Sequence, residues 1–122
     1  MYLIGASHPH KADAQQLLED LISDRQRLVT DAEVLQEILH RYVAINRRDA
    51  IQAGFDALLE ITDEVFSVDR GVMERAKEIV LGRKNISARD AVHLAVMERE
   101  GIEKILSFDS GFDMFPGVER IY

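Results

Sequence analysis

The sequence predicts an α/β fold, a short parallel sheet covered by helices. Three observations carry this. Stretches with apolar residues at helical spacing alternate with short apolar runs, the pattern of strands joined by helical crossovers. One late helical stretch, Ala91 to Met97, is apolar almost all round and so belongs deep in the structure. The run Ile105-Leu106 leads straight into Ser107-Phe108-Asp109-Ser110-Gly111-Phe112-Asp113. That is an acidic loop at the carboxyl end of a strand, where open α/β sheets bind their ligands.

The elements follow in order. Met1 to Ala6 is a short, abrupt apolar start, and His8-Pro9-His10 punctuates the chain. Ala14, Leu17, Leu18, Leu21 and Ile22 predict a helix over Lys11 to Ser23. Arg27 to Thr30 reads as a strand. Asp31 follows as the N-cap of a helix with Val34, Leu35, Ile38, Leu39, Tyr42 and Val43 on one face. Arg48 to Glu60 repeats the helical period. Glu64 to Val68 alternates like a strand, and Asp69 caps a helix running to about Leu81, before Gly82. Ser87 opens the buried helix and Gly101 closes it. Lys104 to Phe108 makes a third strand, and Val118 to Tyr122 a last one after Pro116-Gly117. No internal repeat interrupts this, so one α/β domain spans 1–122.

Composition narrows the function. With 47% apolar and 30% charged residues over 122 positions, the chain has the makeup of a soluble globular domain. No apolar run approaches the ~20 residues that span a bilayer. The absence of cysteine excludes disulfides and thiolate metal sites and is compatible with the expected cytoplasmic location. A net charge of −7 argues against simple electrostatic nucleic-acid binding, unless bound divalent cations offset the acidity locally.

Three acids hold the chemical interest. Glu37 lies at the edge of its helix's apolar stripe, and its bland reading is an exposed i,i+4 pair with Arg41, worth only ~0.3–0.5 kcal/mol. Asp90, three residues after Ser87, reads equally as part of a helix-capping pair and as the wet end of a buried helix. His93, one turn on, reads as a buried histidine satisfied by a backbone group rather than a ligand. Asp109 ends the third strand, where its bland role is turn formation in Asp-Ser-Gly, and Asp113 sits in a loop packed by Phe112 and Phe115. Carboxylates converging from such distant segments repel unless a cation holds them. That points to a metal-dependent reaction.

The order and spacing of three stretches resemble a known family. These are Leu28-Val29-Thr30 through Val34-Leu35-Gln36-Glu37, Ile86-Ser87-Ala88-Arg89-Asp90-Ala91-Val92-His93-Leu94-Ala95, and Ile105 through Asp113. From Ala6 onward the chain resembles the PIN domain, most closely the VapC-type toxins of bacterial and archaeal toxin–antitoxin pairs. The resemblance implies a three-layer fold with helices on both faces of the sheet, and an endoribonuclease dependent on Mg²⁺ or Mn²⁺. It matches Glu37, Asp90 and Asp109 to the family's second, third and fourth metal-binding acids, with Asp113 as an auxiliary ligand. It also implies an RNA substrate, a VapB-type antitoxin partner and a homodimer. The family's first strand ends in Asp-Thr-Asn, whereas Met1-Tyr2-Leu3-Ile4-Gly5 resembles the helix after that motif. The expectation is therefore a chain that lacks the first strand and first acid. Its sheet would have an empty central position, its metal binding would be weak, and its unpaired edges would invite association.

Two other readings compete. A phospho-receiver domain also gathers acids around Mg²⁺, but it needs a Lys beyond a later strand, and the loop after Phe108 offers none. A catalytically impaired PIN-like interaction module would instead receive an Arg-bearing antitoxin segment in the acidic groove.

Overall fold

The structure, a computed structural model, describes residues 2–5, 27–106 and 119–121. The predicted helix from Lys11 to Ser23 and the acidic loop from Ser107 to Asp113 lie outside the described residues. Five strands, β1 (Tyr2–Ile4), β2 (Leu28–Asp31), β3 (Glu64–Phe66), β4 (Lys104–Leu106) and β5 (Glu119–Ile121), form one sheet in the order β3-β2-β1-β4-β5. Every pairing in it is parallel. Helices α1 (Ala32–Ala44), α2 (Ile51–Ile61), α3 (Arg70–Gly82) and α4 (Ala88–Glu100) connect the strands, with a short 3-10 turn at Arg48–Ala50 before α2.

The central position that the resemblance leaves empty is filled. β1 lies there, with Leu3 paired to Val29 on one side and to Ile105 on the other. This corrects the expectation of an empty central position. The physical reason is that a central slot leaves backbone donors and acceptors of both neighbours unpaired. The short apolar run satisfies them while giving one side chain to each face. Leu3 is fully buried on one face, and Ile4 is 6% exposed on the other.

Strand alternation then builds two cores, because successive side chains point to opposite faces. Leu3, Val29, Phe66 and Ile105 pack with Val72, Ala76 and Ile79 of α3 and with Ala91, Leu94 and Ala95 of α4. Ile4 and Leu28 pack on the opposite face with Val34 and Leu58, flanked by Leu35, Ile38 and Ile61. Both faces are thus covered, as the fold class predicts. This is why the strands read as apolar runs.

The helix boundaries follow local chemistry. The Asp31 side chain accepts from Val34 N at 3.2 Å, and Asp69 accepts from Val72 N at 3.0 Å. Ser87 Oγ accepts from Asp90 N at 3.1 Å. These are the predicted caps. Gly101 closes α4 with φ +68°, and Ile102 N donates back to Met97 O at 2.8 Å, the bond of a Schellman ending. Gly54 lets α2 approach α1, for a Cβ there would lie 3.3 Å from both Ile38 Cγ2 and Tyr42 Cε2.

Candidate active site

The site begins at the carboxyl end of β2. Alternation there sends Asp31 to the same face as Val29, toward α4. A second contact fixes this end: Thr30 Oγ1, fully buried, donates to Ile4 O at 2.8 Å and ties β2 to the last residue of β1. Asp31 is itself fully buried, and both its oxygens are used. Oδ1 caps α1, while Oδ2 accepts from His93 Nδ1 at 2.7 Å.

His93 is held from its other side as well. Its Nε2 donates to Glu37 Oε1 at 3.2 Å, so the ring bridges β2 and α1 from within α4. Burial pushes the imidazole's pKa down. The hydrogen bonds to Asp31 and Glu37 and the charges of both carboxylates override this and raise it to about 10. The ring is therefore an imidazolium at neutral pH, and both nitrogens donate. It serves as the protein's own cation among the acids.

Glu37 is only 7% exposed, although it lies on a helix that faces solvent over much of its length. Its Oε1 faces His93, with Arg89 Nε 4.0 Å away. Its Oε2 is buried and has no hydrogen-bond partner among the described residues. The exposed pair with Arg41 is thus replaced by a buried contact. Asp90 is also buried, 8% exposed, in the first turn of α4. It stands three residues before His93, on the same helical face. Glu33, one turn before Glu37 on α1, has its carboxyl pKa raised. Burial is the main cause, and the charges of Glu37 and Asp31 add to it against the opposing influence of His93 and Arg89.

The structure thus brings Glu37 against the helix that carries Asp90, while Asp109 and Asp113 lie outside the described residues. Sequence reasoning gave Asp31 only its cap, passed over Glu33, and assigned His93 to a backbone partner. The correction for His93 is two carboxylates in place of a carbonyl. A signal was available: Asp31 follows Val29 by two in a strand buried on both faces, so its side chain had to enter the α4 layer. Among the described residues no three His, Asp or Glu side chains are grouped to hold a metal ion. The unpartnered Oε2 of Glu37 nevertheless has the chemistry of a hard-cation donor, and Mg²⁺ and Mn²⁺ favour such carboxylate oxygens.

A parallel α/β sheet with buried acids at the carboxyl end of an inner strand defines a class of acidic-site domain. The chain belongs to the PIN domain family, whose model matches residues 1–117. It is 57% identical over 121 residues to Ribonuclease VapC13 of Mycobacterium tuberculosis, covering 99% of this chain and 92% of that one. It is 32% identical over 109 residues to Ribonuclease VapC23 of the same species, covering 89% and 86%. Two crystal structures share the fold. VapBC2 from Rickettsia felis, bound to a DNA fragment from its promoter, matches with a TM-score of 0.75 at 15% identity, covering 99% of this chain and 98% of that one. VapC20 of Mycobacterium tuberculosis, a sarcin–ricin loop cleaving toxin, matches with a TM-score of 0.70 at 21% identity, covering 97% and 98%.

Proposed function

We propose that this protein is a divalent-metal-dependent endoribonuclease, the toxin of a type II toxin–antitoxin pair. The observation that carries the reading is the Glu37 carboxylate, buried against the Asp90-bearing helix with one oxygen lacking any donor among the described residues. Its relatives' names, Ribonuclease VapC13 and Ribonuclease VapC23, support RNA as the substrate.

Glu37, Asp90 and Asp109 would hold Mg²⁺ or Mn²⁺, with Asp113 as an auxiliary. Bound there, the ion supplies charge relief to a phosphodiester and a water of lowered pKa. The chain's own residues prepare the place. Ser87 caps α4 and fixes the turn carrying Asp90. Arg89, 58% exposed at the rim and 4.0 Å from Glu37, is placed to meet an RNA phosphate. A VapB-type antitoxin, a homodimer and a cytoplasmic location complete the proposal. Among the described residues no helix is long and apolar enough to cross a membrane.

The test is cleavage of RNA by the purified chain with Mg²⁺ or Mn²⁺ and its loss on adding EDTA. Asp90→Asn should abolish cleavage with its circular dichroism unchanged, since it removes charge and keeps shape. Cleavage that survives either EDTA or this substitution overturns the proposal. One observation favours the alternative of a catalytically impaired interaction module: neither β1 nor the following Gly5 carries an acid. On that reading the folded chain binds an antitoxin and cleaves nothing under any metal condition.

A further inference from the structure

We propose that His93 is a positioning residue: anchored by Asp31, its ring fixes one oxygen of Glu37 so that the other is presented to a divalent cation. This rests on the metal-dependent reading above and adds to it the device that sets the geometry of Glu37.

The contacts form a chain with one open end. Asp31 has both oxygens committed, one to Val34 N and one to His93 Nδ1. One bond caps the helix that carries Glu37, and the other holds the ring. The ring is 2% exposed and held at both nitrogens, so it cannot turn without breaking a buried hydrogen bond. Glu37 receives one of those bonds on Oε1, and this selects Oε2 as the oxygen left without a donor among the described residues. A buried acceptor without a donor is costly, and a cation is the partner that removes the cost. Hydrogen bonds that orient a ligating side chain from behind commonly matter 10–100-fold in metal affinity. Asp90, three residues before His93, places a second carboxylate on the same face of α4. The ring that aims Glu37 is thus built into the helix that brings Asp90.

Two substitutions isolate the contact. In His93→Gln the amide nitrogen falls near the ring's Nε2 and keeps a donor to Glu37. In His93→Asn it falls near Nδ1 and keeps only the contact to Asp31. Both remove the ring's charge, so the ratio of their affinities weighs the bond to Glu37 against the anchor on Asp31. Calorimetric titration of the full chain with Mn²⁺ should show His93→Asn binding at least ~10-fold more weakly than His93→Gln. Thermal melts in EDTA accompany it: a purely structural role would lower both melts and leave the affinity ratio near one. Should a variant fail to fold, the wild-type chain carries the test through the ¹⁵N–¹H signal of His93 Nε2. That signal should move in step with Mg²⁺ saturation, and a stationary signal overturns the proposal. Equal Mn²⁺ affinity in both variants overturns the role of His93 and leaves the metal reading standing. A wild-type chain that takes up neither ion overturns the metal reading itself.

Discussion

Asp31 and Asp69 cap their helices with the same hydrogen bond, yet their removal should differ several-fold in cost. Asp69 stands on the surface, so Asp69→Ala should lose about 1 kcal/mol, the usual worth of a cap. Asp31→Ala would also strand a buried imidazolium, and breaking a buried ion pair from one side costs about 3–5 kcal/mol. Urea denaturation of the two variants checks the contrast, and equal losses would show that the Asp31–His93 pair adds nothing to stability. The same pair sets a pH dependence. The folded-state pKa of His93 stands at about 10 against 6.5 for the free side chain. The folded state therefore holds the proton more tightly. The stabilisation is fully present below pH 6.5 and is lost as pH rises through about 10. The metal-free protein should lose stability steadily between pH 7 and pH 10, and His93→Gln should flatten that slope. Parallel slopes in the two proteins would assign the dependence to other groups.

At the scale of elements, α4 carries the most consequence. It is buried from Asp90 to Met97, and its two ends are set by single residues, Ser87 and Gly101. At φ +68° an alanine is strained where glycine is not, so Gly101→Ala should cost about 1–2 kcal/mol. A drop in melting temperature of a few degrees would read this, and an unchanged melt would mean that the helix ends elsewhere. The surface ion pairs around Arg75 deserve no such weight. They link exposed partners, Glu78 and Glu98, and pairs of that kind contribute about 0–1 kcal/mol. Burial rather than charge holds α3 and α4 together.

For the whole molecule, the occupant of the centre of the sheet decides most. With β1 between β2 and β4, Leu3 is fully enclosed, and Leu3→Ala should destabilise the protein by about 2–5 kcal/mol. A near-neutral Leu3→Ala would show that the amino-terminal run does not occupy the sheet in solution. Slow hydrogen exchange at the amides of Leu3 and Ile4 is the companion expectation, since both belong to a strand paired on its two sides.

What was legible in the sequence was local or periodic. The caps at Asp31, Asp69 and Ser87, the glycine stop at Gly101 and the all-round apolar α4 are each decided within a few residues, by backbone donors needing acceptors and apolar faces needing cover. Glu37 and Asp90 were also visible as acids at the edges of buried helices. The partners of those residues were not. His93 lies 62 positions from Asp31 and 56 from Glu37, and nothing local to any of them predicts the bridge. Tyr2–Ile4 was likewise misplaced, read by resemblance as part of a helix, since a three-residue apolar run has too little periodicity to distinguish strand from helix. Only the parallel sheet, with two neighbours' backbone groups to satisfy, made it the central strand. Only the packing of α4 over β2 turned a helix cap, a surface glutamate and a core histidine into one charged network.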